Sequence, residues 1–333
     1  MPQPVHSAFA LDDFQSDVYQ DNRPNYESWL TEKMIAYSLS HNIGRAKPHG
    51  SPHFFNVAVD LATGTGQMTA LLSNVARQVY AMDVSVPMIA AAVPRPNVTY
   101  SIHRAEGPWN PAIAPHSVDL VTVATAAHWF KRPDVWQQIH RMLRPGGTLA
   151  LVNYIFPGFP GRSRATAMLW ALADSDKYLG KYWDQGRFDA DTLLGSWDLP
   201  FDGVKRYYYP AGLVSAQHCR ENSGDPTAEP LPTSTAPDHL QRIHENQTGN
   251  GLHLPSSSPI VRMNMSPTQI EDSIRTWSGY KRFCDVHPDR ANLAHEYVEE
   301  MMAAEGCTSW NDTWEADWNS VFILATNPDC PTA

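Results

Sequence analysis

The sequence predicts an α/β fold, built on a mostly parallel sheet with helices on both faces. Strand-like apolar runs alternate with helix-like segments from residue 56 to residue 154. The first run ends in a glycine turn, at Gly64 and Gly66, and a helix-like segment follows it directly. Parallel strands need crossover connections that usually contain a helix, so this alternation favours a parallel sheet over hairpins. At 333 residues the chain is long enough to bury a large core.

The individual elements follow in chain order. Residues 11–42 are predicted to be helical in two pieces, the second from Tyr26 to His41. A loop rich in Gly, Pro, Lys and His then leads to the first strand. The alternating region is predicted to contain strand 56–61, helix 67–75, strand 78–82, helix 86–92, strand 98–103, strand 118–123, helix 132–143 and strand 147–154.

The pattern after residue 154 is less regular. Helices are predicted at 165–182, 191–194, 266–280 and 288–304, and strands at 204–209 and 318–325. Residues 214–260 have few large apolar side chains and many Pro, Ser, Thr, Asn and Gly, which predicts a surface insertion. We expect one domain over residues 1–333, made of an amino-terminal helical lid (11–42), a cofactor-binding core (56–154), a substrate cap (155–280) and a carboxyl-terminal helix and strand (281–333).

Composition and charge argue against several classes of function. The formal net charge is −10 and no basic stretch is visible, so we expect no nucleic acid as a partner. No apolar run is long enough to span a membrane, and residues 1–10 lack the pattern of a secretory signal. We therefore expect a cytoplasmic protein without a membrane partner. The cysteines at 219, 284, 307 and 330 are widely spaced, which favours free thiols over disulfides or a metal site.

The segment from Asn56 to Gln67 carries the clearest functional signal. A strand, a glycine turn and a helix in this order form a pocket for a nucleotide-type ligand, because the helix amino terminus has free N–H groups. Asp83 ends the next strand about 20 residues later, where a carboxylate can accept hydrogen bonds from ribose hydroxyls. Asp60 ends an apolar strand, so its carboxylate must be hydrogen-bonded or face the ammonium group of the ligand. These features suit a nicotinamide dehydrogenase equally well.

Residues 19–154 resemble the class I S-adenosylmethionine-dependent methyltransferases, in particular the branch of trans-aconitate methyltransferase and related fungal small-molecule methyltransferases. The segment Val59-Asp-Leu-Ala-Thr-Gly-Thr-Gly-Gln67 is similar to the first cofactor motif, and Asp83 to the ribose-binding acid. Residues 118–130 are similar to the fourth strand with its active-site turn, and residues 143–148 to the turn before the fifth strand. The Gly-x-Gly spacing, without a third glycine at Thr69, favours this family over the dehydrogenases.

The resemblance implies a Rossmann-like seven-stranded sheet in the order 3-2-1-4-5-7-6, whose last strand, residues 321–325, is antiparallel. It also implies S-adenosylmethionine as the cofactor, with Ala105 and Glu106 beside the adenine. Ala62 departs from the family, which usually has glycine there, and adds a methyl group near the methionine tail. The residues predicted to contact the cofactor are Tyr19, Arg23, Asp60, Ala62, Gly64, Gly66, Gln67, Asp83, Val84, Met88, Ala105, Glu106 and Ala124.

The acceptor side of the site is predicted at the carboxyl end of the fourth strand, where open α/β sheets bind ligands. His128 and Trp129 follow that strand, and His128 is the candidate base if the acceptor is a phenol, an alcohol or an amine. Trp277 and Tyr280 lie three positions apart on a predicted helix and so share a face. Tyr26 resembles part of the lid motif of the branch. Packing in the core is the alternative role for these aromatic side chains.

We therefore expect methyl transfer from S-adenosylmethionine to a small organic acceptor, with a carboxylate oxygen of a mono- or dicarboxylic acid as the leading interpretation. A carboxylate is ionised near pH 7 and needs no strong base, which agrees with the scarcity of bases in the motifs. The alternatives are a hydroxyl or amine acceptor in a secondary metabolite, or a protein that binds the cofactor without methyl transfer. We expect a small-molecule acid as the partner, and the amino-terminal helices leave a homodimer open.

Overall fold

The computed structural model describes residues 24–41, 52–108, 110–184, 186–195, 197–209, 252–253 and 259–328. Within them the chain forms a mixed sheet with helices packed around it. The helices are α1 (Trp29–His41), α2 (Gln67–Val75), α3 (Val86–Ala91), α4 (Arg132–Met142), α5 (Ser163–Asp174), α6 (Arg187–Asp191), α7 (Pro267–Arg275), α8 (Ser278–Val286) and α9 (Leu293–Ala304). The strands are β1 (Phe55–Leu61), β2 (Ala76–Asp83), β3 (Val98–Ile102), β4 (Val118–Ala124), β5 (Leu143–Gly158), β6 (Asp202–Tyr209), β7 (Leu252–His253), β8 (Arg262–Met265) and β9 (Trp314–Thr326).

The described strands have the order β3-β2-β1-β4-β5-β9-β6-β7 in the sheet. Strands β1 to β5 run parallel, and β9 lies antiparallel between β5 and β6. The Rossmann-like order 3-2-1-4-5-7-6 is confirmed, with β6 and β9 as its sixth and seventh strands. Two further strands lie outside the sequence prediction, because the two-residue β7 pairs with β6 and the short β8 pairs with the first part of β9.

The central strands are buried on both faces, which is why the sequence shows them as nearly continuous apolar runs. Val59 in β1, Val121 in β4 and Leu151 in β5 are fully buried. The carboxyl ends of β1, β2 and β4 meet at one edge, since Asp60 is in register with both Ala81 and Thr122. At this edge lie the glycine turn, the acid at the end of β2 and the residues that follow β4. We call it the donor edge, because the sequence predicts the methyl donor there.

Two predicted helices differ from the observed ones in the cap. The helix predicted at 165–182 ends at Asp174, and only a short 3₁₀ turn follows, at Gly180–Tyr182. The helix predicted at 191–194 lies instead at Arg187–Asp191. The reason is the backbone of Leu193 and Leu194, whose positive φ angles of 50° and 58° are incompatible with a right-handed helix.

The helix predicted at 266–280 is divided into α7 and α8. Trp277 separates them with an extended backbone (φ −72°, ψ 136°), so Trp277 and Tyr280 do not share one helix face as predicted. The helix predicted at 288–304 begins later, at Leu293, after a 3₁₀ turn at Pro288–Arg290. The capping box of Ser266 and Gln269 fixes the start of α7.

Some predictions fall on parts of the chain that are not described. The first helical piece before residue 24 and most of the predicted insertion at 214–260 lie outside the described residues. Among the described helices, none is long and apolar enough to cross a membrane. The described residues also contain no group of three or more His, Cys, Asp or Glu side chains that could hold a metal ion, and Cys284 and Cys307 are free thiols.

Candidate active site

The turn after β1 has a backbone that favours glycine. Gly64 and Gly66 have positive φ angles of 59° and 95°. A Cβ atom at Gly66 would lie 2.9 Å from the Tyr100 hydroxyl oxygen, whereas one at Gly64 would meet no atom of the described residues within 4 Å. Ala62 also has a positive φ, 54°, which strains a residue with a Cβ atom. The turn therefore needs glycine at position 66, faces open space at Gly64 and carries strain at Ala62.

Asp60 is the polar centre of this turn. Its side chain is fully buried, and its carboxylate accepts hydrogen bonds from the hydroxyls of Thr63, Thr69 and Thr122 at distances of 2.7–2.8 Å. Burial raises the pKa of Asp60, and the three hydroxyl donors oppose that rise. Of the two roles predicted for Asp60, hydrogen bonding is the one observed, because no part of the side chain is exposed to a ligand. The carboxylate ties the turn to α2 and β4.

Asp83 lies at the end of β2, beside the glycine turn. One carboxylate oxygen accepts the Gly64 N–H and the other accepts the Ser85 N–H, both at 2.8 Å. Burial raises the pKa of Asp83, and these backbone donors lower it. The next side chain, Val84, is 45% exposed, whereas Met88 is buried. Each carboxylate oxygen has a second lone pair, so Asp83 keeps capacity to accept hydrogen bonds from a ligand.

Gln67 and Glu106 differ in how completely they are hydrogen-bonded. The Oε1 atom of Gln67 accepts the Thr65 hydroxyl at 3.1 Å, while its buried Nε2 atom has no hydrogen-bond partner among the described residues. A buried donor without a partner is costly, so Nε2 is a place where a ligand can supply an acceptor. Glu106 accepts the Lys131 N–H at 3.1 Å. Its carboxylate joins the loop after β3 to the start of α4.

The chain leaves β4 through a strained residue. Thr125 has a φ of 54°, which is an outlier for a β-branched side chain. Its N–H donates to the Val152 carbonyl at 2.7 Å, and its hydroxyl is hydrogen-bonded to the Tyr26 hydroxyl at 3.0 Å. His128 and Trp129 follow on a 3₁₀ turn, with their ring centroids 4.8 Å apart. Strain of this kind persists where the surroundings over-determine the backbone, as at ligand sites.

A cavity of about 920 Å³, measured out to its open mouth, begins at Thr125 and His128. Phe156 and Trp277 have ring centroids 4.4 Å apart, and Trp183 lies 5.4 Å from Phe156. The aromatic walls, which come from distant segments of the chain, are formed by Trp129, Tyr154, Phe156, Trp183, Trp277 and Trp318. An apolar chamber thus lies where β4 and β5 end. We call it the acceptor cavity.

The guanidinium of Arg187 is part of the wall of the acceptor cavity. It lies 4.6 Å from the ring centroid of Phe156 and 4.3 Å from that of Trp183, at cation–π distances. Its Nε atom donates to Asp191 and its Nη2 atom donates to Asp174. Burial raises the pKa of Asp191 to about 6, although Arg187 opposes the rise. The cavity therefore combines aromatic walls with a fixed cation.

Comparison with known proteins identifies the family. Residues 59–151 match the family model described as a methyltransferase domain. The protein is a class I S-adenosylmethionine-dependent methyltransferase. It is 24% identical to the probable S-adenosylmethionine-dependent methyltransferase CRG1 of Saccharomyces cerevisiae, over 93% of this chain and 95% of the yeast protein. It is 27% identical to the malonyl-acyl-carrier-protein O-methyltransferase of Marinomonas sp., over 53% of this chain and 68% of that protein.

The fold of the methyltransferase is also shared with a solved structure. A protein from Anaeromyxobacter dehalogenans, assigned as a type II methyltransferase, superposes with a TM-score of 0.61 at 18% identity. The superposition covers 92% of this chain and 99% of the other. At this level of identity the likeness concerns the arrangement of strands and helices.

The donor edge of the methyltransferase has features that fit S-adenosylmethionine. The open space at Gly64 offers room, and the Asp83 carboxylate retains lone pairs for ribose hydroxyls. The exposed Val84 offers an apolar surface to an adenine ring. The unpartnered Nε2 of Gln67 matches the carboxylate of the methionine part. These four residues could hold the methyl donor.

The other predicted site residues of the methyltransferase divide into four groups. Ala124 ends β4 at the donor edge, and Ala105 is buried beside Glu106. Tyr26 contacts Thr125, and the predicted His128, Trp129 and Trp277 all line the acceptor cavity. Tyr280 is not part of the lining, since its hydroxyl donates to the Ala291 carbonyl at 2.8 Å and its side chain is buried, so core packing is the role observed. Tyr19 and Arg23 lie outside the described residues.

Sequence reasoning missed several residues of the acceptor cavity, among them Thr125, Phe156, Trp183 and Arg187. Thr125 had a signal, because it lies two residues after the fourth predicted strand, at the end of the sheet where ligands bind. Phe156 lies in a proline- and glycine-rich stretch, and Trp183 and Arg187 lie in a part of the cap without a motif. For these three residues, only the folded arrangement shows that they share a cavity.

Proposed function

We propose that this methyltransferase converts a small organic acid to its methyl ester. The observation that carries the proposal is the acceptor cavity, which begins at Thr125 and His128 and includes the Arg187 guanidinium in its aromatic wall. Apolar walls exclude water from the reacting groups, and a guanidinium is well shaped to bind a carboxylate. An acid with an apolar body matches both features.

Methyl transfer to a carboxylate needs alignment more than acid–base chemistry. Gly64, Gln67, Asp83 and Val84 would hold S-adenosylmethionine at the donor edge. The bound cofactor would supply an electrophilic sulfonium methyl group to a carboxylate oxygen of the acceptor, and its sulfur would keep the electron pair of the former carbon–sulfur bond. The products are a methyl ester and a neutral thioether, so no proton has to be removed. The aromatic walls and the fixed turn at Thr125 can provide the alignment and exclude water.

Two further points support a carboxylate acceptor. A carboxylate is already ionised near pH 7 and therefore needs no general base. The Marinomonas relative is named as an O-methyltransferase of malonyl-acyl-carrier protein, and residues 19–154 of this chain resemble the trans-aconitate methyltransferase branch. Both names support an acid as the acceptor.

A hydroxyl or amine acceptor is the second candidate, favoured by two side chains of the acceptor cavity. His128 follows β4, and the pKa of Asp191 is raised to about 6, so either could accept a proton from an acceptor. A general base typically contributes about 100-fold or more to the rate. We expect His128→Ala to retain most of the rate with a carboxylic acid. A loss of about 100-fold in kcat would favour the hydroxyl or amine acceptor.

The direct test is product analysis by mass spectrometry. The full chain is incubated with S-adenosylmethionine and with three acceptors that share one apolar body: cinnamic acid, cinnamyl alcohol and cinnamylamine. A methyl ester formed from the acid alone would support the proposal. Methylation of the alcohol or the amine would contradict it. A chain that binds S-adenosylmethionine in calorimetry but methylates none of the three would favour a binding protein without methyl transfer.

A further inference from the structure

We infer that Arg187 binds the carboxylate of the acceptor and so makes this methyltransferase selective for acids. The inference rests on the proposed function and adds the residue responsible and a narrower substrate class. That class is a monocarboxylic acid with a flat apolar body. The donor atoms of Arg187, its fixed position, the surrounding charges and the aromatic walls each support the assignment.

The guanidinium of Arg187 has an unused hydrogen-bond donor. Its Nε and Nη2 atoms bond to Asp191 and Asp174, but its buried Nη1 atom has no hydrogen-bond partner among the described residues. The side chain is 14% exposed, so solvent does little to satisfy Nη1. A buried donor without an acceptor costs free energy. A carboxylate oxygen in the acceptor cavity would satisfy this donor with a charge-assisted hydrogen bond.

Arg187 is also held close to the residues that follow β4. A Cβ atom on the preceding residue, Gly186, would lie 2.5 Å from the carbonyl oxygen of His128, so the two backbones are in contact. The guanidinium packs over the rings of Phe156 and Trp183, and the Trp183 indole N–H is itself bonded to a backbone carbonyl at 2.7 Å. The cation is therefore fixed before a ligand arrives, which lowers the entropic cost of binding.

The charges around Arg187 make acid binding sensitive to pH. The charged and titratable groups on the elements around it are His128, Asp174, Asp184 with its partner Arg282, Asp189 with its partner Arg132, and Asp191. A further carboxylate beside Arg187 adds negative charge to this cluster. Asp191, whose pKa is about 6, is the group best able to take up a proton in response. Binding of an acid near pH 7 should therefore be coupled to proton uptake.

The aromatic walls define the rest of the substrate. Phe156, Trp183 and Trp277 have ring centroids 4.4–6.0 Å apart, an arrangement that favours a flat unsaturated or aromatic body. Methylation removes the negative charge of the acceptor, so the ester loses its ion pair with Arg187. The same residue would then bind the acid tightly and release the ester.

The test measures binding rather than turnover. Isothermal titration calorimetry of the full chain, saturated with S-adenosylhomocysteine, compares cinnamate with methyl cinnamate, which has the same body without the charge. We expect cinnamate to bind roughly tenfold to a hundredfold more tightly, since it gains a charged hydrogen bond. Proton uptake should appear as a dependence of the binding heat on the ionisation enthalpy of the buffer.

Two variants and a matched control test the contribution of Arg187 to acid binding. The double variant Arg187→Met with Asp191→Asn removes the cation together with one buried charge and should bind acid and ester equally. Arg187→Lys keeps the charge without the planar fork and should retain part of the preference. Arg132→Met removes another guanidinium bonded to α6, at 3.1 Å from Asp189, and should keep the full preference. Affinity for S-adenosylhomocysteine shows that each variant is folded.

The outcomes separate this inference from the proposed function. A preference for cinnamate that survives in the double variant would overturn the role of Arg187, while continued formation of methyl cinnamate would leave the proposed function intact. Equal or undetectable binding of acid and ester by the unmodified chain would also overturn it. Methylation of cinnamyl alcohol in place of the acid would contradict the proposed function itself.

Discussion

The donor edge and the acceptor cavity of this methyltransferase are built in different ways. At the donor edge, Asp60, Gly64 and Asp83 are close in sequence and are joined by short polar bonds within and around one turn. The acceptor cavity draws its lining from segments as distant as Pro24 and Trp318. Aromatic packing and a buried ion cluster hold it together, with no shared turn.

This difference in construction determines which of the two regions can change without affecting the other. A change at Asp60 or Asp83 alters the backbone of the glycine turn, because both carboxylates bond to it or to its threonines. A change of one aromatic wall, such as Trp183, alters the cavity without touching that turn. Acceptor preference can therefore diverge while the donor site is kept. Variants in the two regions should differ in which ligand they affect.

The largest effect is expected at the donor edge, from Asp60→Ala. Three threonine hydroxyls would lose their acceptor in a buried site, so the free energy of unfolding should fall by about 4 kcal/mol. Asp60→Asn keeps a carbonyl acceptor and should lose about half as much. Urea unfolding measures both, and calorimetry should show weaker binding of S-adenosylhomocysteine. A loss below about 1 kcal/mol for Asp60→Ala would mean that Asp60 does not organise the turn.

The acceptor cavity is tested by the pH dependence of Asp191→Asn. The pKa of Asp191 rises from 3.8 to about 6 on folding, so the folded state holds this proton more tightly than the unfolded chain. The resulting stabilisation is complete below pH 3.8 and is lost as the pH rises through about 6. Relative to Asp191→Asn, the unmodified chain should lose roughly 3 kcal/mol between about pH 4 and pH 7. The measurement is urea unfolding of both proteins at several pH values. A difference in the free energy of unfolding that does not change with pH would contradict the prediction.

A pair of glycines tests whether the donor occupies the space at the turn. Gly64 and Gly306 have φ angles of 59° and 66°, and at both an added Cβ would meet no atom within 4 Å in the part of the chain that the structure describes. Gly64→Ala should weaken S-adenosylmethionine binding about tenfold, or 1.4 kcal/mol, because the Cβ takes up that space. Gly306→Ala, just after α9, should not change the affinity. Equal affinities in calorimetry would place the donor away from the turn.

The smallest effect is expected from Ala62→Gly, which relieves the strained backbone of the donor edge. The left-handed conformation costs alanine about 1 kcal/mol, and the extra freedom of glycine in the unfolded chain offsets part of the gain. The net rise in stability should be about 0.5 kcal/mol in thermal unfolding, with cinnamate binding unchanged. His116→Gly, at a φ of 53° away from the site, is the comparison for relief of backbone strain, and it also removes the 3.2 Å hydrogen bond between the His116 ring and the Leu143 carbonyl. A loss of stability at position 62 would show that the Ala62 methyl group packs favourably.

The sequence predicts the donor edge because its signals are local. A glycine turn after an apolar strand and an acid at the end of the next can be recognised from spacing alone, as with Gly66 and Asp83. The alternation of elements predicts a mostly parallel sheet, and the family resemblance implies its strand order. The acceptor cavity has no such signal, because Phe156, Trp183 and Trp277 become neighbours only when β5, the cap and the start of α8 pack together.

Backbone conformation sets a second limit on prediction. Threonine rarely adopts a positive φ, so the sequence gives no reason to expect the bend at Thr125 or its bond to Tyr26. Nor does it indicate that Trp277 interrupts a helical pattern. That break directs Trp277 to the acceptor cavity, while Tyr280 packs in the core.

Strand β9 is the last described strand in chain order, yet it lies between β5 and β6 in the sheet. Its first part pairs with β8, which leads into α7 and so towards Trp277. During synthesis on the ribosome, β1 to β5 can pair before β9 emerges, but one side of β5 then exposes unpaired backbone groups. The donor edge can form on the growing chain. The acceptor cavity has to wait for residues 314–326, because Trp318 in β9 is part of its lining.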